Sequence, residues 1–531
     1  MATSAPSRAR QTAIPRPIPR LPPVTSATRP SRPMPHAPHA ISAPYAEGCR
    51  ERGYPTAGVR ARTSPCRQPA GVGRLRHHRV ITAHGRERQA MNWRDRCRDK
   101  LVSPEEAVKR IKPGDTVMVA PFTCTPHTLC NALIARAKAG DIAGVRIEHP
   151  AALADWCNPE VKGAFEVHDN YVTPFDRAAC HAGAMEYLPI GVWQSYVVPP
   201  GFTERPDVYL VPVSPPDAHG YCSFGPGVWL SGTMCRNAKL VIAEVHEDFI
   251  RTYGENYVHL DQIDLLVEAT TPTGTAPVPP PSEEETAAVE VICTLVANEL
   301  INNGDTLQMG VGTVSASLGL YLQDKEDLGI QTELITGGIV DLVKKGVVTG
   351  KYKSIHRYKV VGSALVALSP EEMRDIHMNP VFELYDFGYT DDLRRLLQVE
   401  RFVTVNNALV VDLTGQVCAE SLGHRMYTGV GGQTVFMIAG AYSPGGKSVS
   451  VLPSSSVPSA TGRRVSRIVP VLEPGSVVTV PRTFVDYVVT EYGIATLRGK
   501  TIKERAREMV SIAHPDFRAE LARQAKELYG A

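Results

Sequence analysis

Two stretches, IKPGDTVMV at 111–119 and INNGDTLQM at 301–309, carry the reading of the fold. Ile111-x-x-Gly114-Asp115-Thr116 recurs as Ile301-x-x-Gly304-Asp305-Thr306, a match at four of six positions. Each copy is preceded by an amphipathic helical pattern and followed by an apolar strand. A helix that turns through Gly-Asp into a buried strand is an α/β connection. Its return at the same point of a second half predicts a duplicated domain.

Working outward from the first copy, Ser103-Pro104-Glu105-Glu106 starts a helix, with serine as N-cap, proline in the first turn and acids at the positive end. The helix Glu105–Ile111 meets the turn Lys112–Asp115 and then the strand Thr116–Val119. Further apolar strands read at Tyr209–Val213, Leu240–Val245 and Leu265–Glu268. This alternation predicts α/β layers with mostly parallel sheets. Thr270–Pro281 (TTPTGTAPVPPP) is a linker, and Ser282-Glu283-Glu284-Glu285 opens another capped helix. The expected organisation is a domain at 91–269, a linker at 270–285 and a second domain at 286–531, with a cleft between the two.

Residues 1–90 are different in kind. They hold 16 arginines, no lysine and three acids (Glu47, Glu51 and Glu87), a charge of +13 that leaves −11 for the rest of the +2 chain. Prolines stand at nearly every third position from Pro15 to Pro44, and no hydrophobic period appears, so this stretch is expected to be disordered. It reads as translated sequence upstream of a start at Met91, as an organelle-targeting peptide unusually rich in proline, or as a basic interaction tail. The first fits best. The location expected is cytoplasmic, or mitochondrial if the arginine-rich stretch is a targeting peptide.

The acidic remainder argues against nucleic-acid binding. Eleven cysteines are scattered without a C-x-x-C pair, which argues against a disulfide framework and a zinc site. No apolar run approaches the roughly 20 residues that span a bilayer, so no membrane partner is expected.

Three places could carry chemistry. The strand Thr306–Met309 runs into Gly310-Val311-Gly312-Thr313 and a helix containing Ser315, Leu318 and Tyr321. Strand, glycine turn and helix N-terminus can make an anion site, although taken alone the glycines fit a plain tight turn better. The third glycine of a dinucleotide fingerprint is missing. Second, Gly329-Ile330-Gln331-Thr332-Glu333-Leu334-Ile335 reads as one short buried strand ending at Thr336-Gly337-Gly338. Glu333 lies near its carboxyl end, where open α/β sheets hold ligands. The alternative is a solvated glutamate at a strand end. Third, Gly429-Val430-Gly431-Gly432-Gln433 is either a chain reversal or a source of backbone donors for an oxyanion.

Longer motifs then favour the chemical readings. YTGVGGQ at 427–433, SRIVPVLEPGSVVT at 466–479, DYVVTEYGIATLRGKTIKERA at 486–506, IAHPDFR at 512–518 and VSPPDAHGYCSFG at 213–225 closely resemble the acetyl-CoA hydrolase/transferase family. The likeness is nearest to its 4-hydroxybutyrate and butyrate-type CoA-transferases and spans about Met91 to the C-terminus. It implies two CoA-transferase-type α/β domains and transfer of coenzyme A between short-chain acyl-CoA and a free carboxylic acid. It makes Glu333 the covalent nucleophile. The segment Gly310, Val311, Gly312, Thr313 and Val314, with Gly431 and Gly432, would contact CoA, and the amides of Val311 and Gly432 would form the oxyanion hole. Coenzyme A would be a substrate, with no bound cofactor and no metal, and an assembly of identical subunits is expected.

Three positions depart from the family pattern. Val435 stands where an aspartate is usual. Asp391 aligns with an asparagine that assists at the site, so Asp391 is a possible assisting residue that adds a second carboxylate near Glu333. A CoA-holding lysine is replaced near Val457, with Arg463 and Arg464 close by. These changes leave open an acyl-CoA hydrolase using the same glutamate, or a binding protein without turnover. Phe122–Pro126 is a candidate pocket wall. Cys124, Cys130, Cys222 and Cys293 read as core, and His514 as a cap or packing residue.

Overall fold

The computed structural model describes residues 92–148, 151, 153–192, 205–274, 283–310, 312–459 and 461–531. Most of the proline-rich linker and all of residues 1–90 lie outside them, as does Val311. The described residues belong to one compact unit, Gly85–Ala531.

The first half builds a parallel sheet from β1 (Thr116–Val119), β2 (Val145–Glu148), β3 (Phe165–Asp169), β4 (Glu186–Tyr187), β5 (Val208–Val213), β6 (Leu240–Val245) and β7 (Leu265–Glu268), in the order β7-β6-β5-β1-β2-β3-β4. Helix α1 (Pro104–Val108) starts where the sequence predicts: Ser103 Oγ accepts the Glu106 N–H at 3.2 Å. Helix α2 (Glu283–Leu295) opens on its three glutamates.

The second half contains β8 (Thr306–Met309), β9 (Gly329–Gln331), β10 (Leu334–Thr336), β11 (Val360–Gly362), β12 (Ala364–Val366), β13 (Phe382–Leu384), β14 (Phe402–Asn407), β15 (Lys447–Val451), β16 (Tyr487–Thr490) and β17 (Gly493–Thr496). Its main sheet runs β17-β16-β15-β14-β8-β9-β11-β13, and Tyr253–Gly254 adds a ninth strand beside β13. Only the β16–β17 pairing is antiparallel. Around β8 the chain therefore repeats the order found around β1: three strands (β9, β11 and β13) leave on one side and later ones return on the other, where the antiparallel β17 adds a fourth.

The two Gly-Asp turns are equivalent in detail. Gly114 and Gly304 have φ of +88° and +75°. Asp115 Oδ2 accepts the Lys112 N–H at 2.8 Å, and Asp305 Oδ2 accepts the Asn302 N–H at the same distance. Each aspartate closes its turn onto the backbone three residues back, so the motif fixes how a helix enters the central strand.

One expected strand is broken. Gly329–Ile335 forms β9, then Thr332-Glu333 outside either strand, then β10, which pairs with β12 in a separate two-stranded sheet. Thr332 still donates its N–H to Val361 O at 3.0 Å. The Glu333 carbonyl instead accepts from Ser363 and Ala364, at 2.7 and 3.3 Å. The chain leaves the main sheet at Glu333 because two amides of the neighbouring segment capture that one carbonyl.

Largely apolar strands such as β5, buried at every position, require cover on both faces. Cys124, Cys130, Cys222 and Cys293 are fully buried, and burial pushes the Cys124 thiol up to about 12. His514 caps the last helix (Pro515–Tyr529), its Nδ1 accepting from the Asp516 amide. Among the described residues no helix is long and apolar enough to cross a membrane.

Candidate active site

Strand order in the second sheet reverses between β8 and β14, and carboxyl-end crevices at such switch points are where open α/β sheets take ligands. β8 ends at Gly310. Its Cα passes so close to β14 that a Cβ there would stand 2.6 Å from Asn406 Oδ1. Gly312, at φ +131°, would put a Cβ 2.6 Å from Asn407 Cγ. Both glycines are thus required by close approach, and Gly312 by its backbone as well. The asparagines are themselves fixed. Asn406 exchanges two hydrogen bonds with Gln308, at 3.1 and 2.9 Å, and Asn407 Nδ2 donates to Ser315 Oγ at 2.9 Å.

After the loop comes α3 (Thr313–Ser317), only five residues long before a 3-10 turn. Thr313 is exposed. Val314 is 1% exposed and packs in the core, so its side chain lies away from the surface of the cleft.

Glu333 stands one strand over. The Thr332 hydroxyl donates to Met309 O at 3.2 Å, tying the root of the glycine loop to the residue before Glu333. Its carboxylate meets two groups from later in the chain. One is the amide of Gly432, the N-cap of α5 (Gln433–Tyr442). The other is the carboxyl of Asp391, which follows α4 (Phe387–Thr390) as its C-cap. A Cβ at Gly432 would fall well inside contact distance of Glu333 Oε2 and Asp391 Oδ2, and 2.9 Å from Phe436 Cε2. The φ of Gly432 is −94°, so space rather than backbone conformation demands glycine here.

Glu333 keeps part of its residue surface exposed, but protein surrounds the carboxyl group closely. Burial pushes it up to about 7, against the opposing pull of hydrogen bonds from Asp391 and the Gly432 amide. Asp391 is fully buried and held well above the usual carboxylate range, first by burial and then by the charge of Glu333. An aimed, partly desolvated carboxylate beside backbone donors at a ligand crevice can attack an electrophilic carbonyl.

The N-terminal half closes over this edge. Gly429 packs against Tyr171 Cα at 2.8 Å from its notional Cβ, and the Tyr171 phenol hydrogen-bonds Thr428 within range of the Glu333 charge. Arg177 lies over the Tyr427 ring at 3.6 Å and donates to its carbonyl at 2.7 Å. Phe122, within the predicted wall segment, meets Tyr171 edge-on at 5.4 Å and Trp229 at 4.9 Å; Trp229 in turn meets Phe387 at 5.6 Å. Trp229 and Phe387, each 1% exposed, belong to the core behind Phe122. Tyr171 escaped the sequence reading because an isolated aromatic carries no pattern that separates a site residue from core.

The departures resolve differently. Val435 is 2% exposed and packs with Leu396, Val399, Phe402 and Ala439, on the core side of α5. Val457 is 47% exposed. Arg464 pairs with Glu284 at 2.6 Å and donates to Ser455 Oγ, whereas Arg463 is exposed. Only Asp391 reaches Glu333.

Comparison with known proteins places the chain in a family. Family models for the acetyl-CoA hydrolase/transferase N-terminal and C-terminal domains match residues 85–275 and 369–525. The 4-hydroxybutyrate coenzyme A transferase of Clostridium kluyveri is 36% identical over 83% of this chain and 100% of its own. The butyryl-CoA:acetate CoA-transferase of Anaerostipes caccae is 32% identical over 82% of this chain and 98% of its own. Among solved structures, RipA from Yersinia pestis superposes with a TM-score of 0.74 at 31% identity, covering 83% of this chain and 100% of that one. The chain belongs to the acetyl-CoA hydrolase/transferase family and is an enzyme of the CoA-transferase type.

Proposed function

We propose that the protein moves coenzyme A from a short-chain acyl-CoA (acetyl, butyryl or 4-hydroxybutyryl in type) to a free carboxylate, by a ping-pong route through a glutamyl-CoA thioester on Glu333. The observation that carries this reading is a half-enclosed carboxylate held between the Gly432 amide and a second carboxyl at the end of β9.

Glu333 attacks the thioester carbonyl, giving a tetrahedral oxyanion that collapses to a mixed anhydride and CoA thiolate. The thiolate then adds to the glutamyl carbonyl, and the first acid leaves as its carboxylate. A second carboxylate reverses both steps and departs as the new acyl-CoA. Each step passes through an oxyanion, and the amides of Gly432 and Val311 serve it. One such donor contributes roughly 3–4 kcal/mol in acyl-transfer enzymes. The glycine loop at 310–312 meets the CoA moiety, and Phe122 and Tyr171 bound the acyl group. The two domains, 91–269 and 286–531, each supply one side of the cleft.

Intact-mass spectrometry after mixing with butyryl-CoA, followed by borohydride trapping and peptide mapping, tests the route. A CoA adduct or its reduced product on the Glu333 peptide is expected. Its absence from protein that binds CoA overturns the reading. Release of free thiol that outruns transfer to acetate would favour an acyl-CoA hydrolase instead.

A further inference from the structure

The Asp391 carboxyl, beside Glu333, is buried with its hydrogen bonding incomplete. Its Oδ1 accepts from the Thr390 hydroxyl at 2.8 Å. Its Oδ2 is enclosed by protein and meets no donor among the described residues. What Oδ2 faces is another acceptor, because it and Glu333 Oε2 flank the same point beside Gly432. Two carboxylates cannot both stay ionised in one buried site, and an acceptor–acceptor approach becomes a bond only when one oxygen carries hydrogen.

The surroundings decide which one. Glu333 has the Gly432 amide as donor and some access to solvent. Asp391 has only the Thr390 hydroxyl, on its other oxygen, and no access to solvent, and the charged groups acting on it, Glu333 and Asp386, are acids. Asp386 caps α4 and binds the Gly388 and Thr233 amides. Arg394 and Arg395, on the short helix that follows (Leu393–Leu396), reach instead for Asp392, and the Arg394 side chain is 77% exposed. Helix α5 packs against the site with Gly432 and Phe436 and offers no ionisable side chain there. From the N-terminal half the ionisable group near Glu333 is the Tyr171 phenol, which stays neutral because burial raises it.

We infer that Asp391 is a neutral acid whose Oδ2–H donates to Glu333 Oε2 throughout turnover. This rests on Glu333 being the nucleophile. In the resting site the O–H holds one oxygen of Glu333 and leaves the other to attack. When CoA thiolate adds to the glutamyl carbonyl, Oε2 takes the negative charge and the same O–H stabilises it. Loss of the first acid returns Oε2 to a carbonyl. The proton stays on Asp391 and no charge is left over. Transfer therefore fails at alkaline pH as Asp391 ionises, because the site loses its donor and gains a charge that repels both CoA thiolate and the incoming carboxylate.

The test measures kcat/KM for butyryl-CoA and acetate against pH, in wild type, Asp391→Asn and Asp391→Leu, with glutamyl-CoA trapping of the wild type first. Asparagine offers an N–H that cannot titrate, so D391N is expected to keep transferring and to move the alkaline limb up by about one pH unit or more. D391L offers no donor and is expected to lose about 10²–10³ in kcat. Infrared difference spectra of wild type minus D391N at neutral pH should contain a protonated-carboxyl band, a readout that needs no activity. An adduct on Glu333 together with an unchanged alkaline limb in D391N, or with no such band, overturns the Asp391 assignment alone. Absence of the adduct overturns the Glu333 reading beneath it.

Discussion

Gly432→Ala is the sharpest probe of the site, because one methyl group would be inserted where three side chains already converge. The new Cβ would stand inside 3.0 Å of Glu333 Oε2, Asp391 Oδ2 and Phe436 Cε2. Phe436 is 1% exposed and packs with Phe402 and Leu396, so it cannot swing away. The carboxyls must give, and restoring ordinary contact requires a shift on the order of 1 Å at the nucleophile. A misplacement of that size costs about 10²-fold in rate, and disturbing the Gly432 donor costs about 10²–10³. The two effects share a cause, so a loss of about 10²–10³ in kcat is expected rather than their product. The φ of −94° suits alanine, so the fold should survive with a loss of about 1–3 kcal/mol from overpacking. Steady-state transfer from butyryl-CoA to acetate, with a thermal melt and CoA binding on the same sample, measures all three. A folded G432A variant with more than about a tenth of wild-type kcat would refute the claim that Gly432 closes on the reacting carboxyl.

Glu333→Gln should form no adduct and lose more than about 10⁴-fold in transfer, checked by single-turnover thiol release. Because Glu333 is pushed up to about 7, transfer should rise with pH through that value as the nucleophile ionises, seen in kcat/KM below pH 8. Stability should move the opposite way. A raised folded value means that this group's contribution is fully present below about 4.5 and is lost as pH rises through about 7, at most roughly 3 kcal/mol. E333Q should accordingly melt higher than wild type at pH 8 and nearly alike at pH 4. Gly312→Ala forces φ +131° on a residue with a side chain and presses on Asn407; KM for acyl-CoA should rise about tenfold or more with a smaller change in kcat, by initial rates at saturating acceptor.

Much of this architecture was legible in local sequence. The Gly-Asp turns at 114–115 and 304–305 were readable because their geometry is set within four residues, by a positive-φ glycine and an aspartate bonding its own backbone. The strands Leu240–Val245, Leu265–Glu268 and Thr306–Met309 fall where their apolar runs predict. The run Gly329–Ile335 was misread as one strand. Nothing inside it signals the break, which comes from Ser363 and Ala364, some 30 residues later, capturing the Glu333 carbonyl.

The site divides along the same line. Sequence alone determined the doubled α/β plan, the glycine loops and Glu333 as the carboxylate at a strand end, because turns, strand patterns and long motifs are local properties of the chain. The family resemblance already pointed to Gly432 and Asp391, 99 and 58 residues beyond Glu333; only tertiary structure decided how closely they surround its carboxyl, that Val435 faces the core, and that Tyr171 arrives from the other half. The physical reason is that a carboxyl group's protonation and aim depend on what surrounds it in three dimensions. Those neighbours are brought together by sheet order, which no local stretch of sequence encodes.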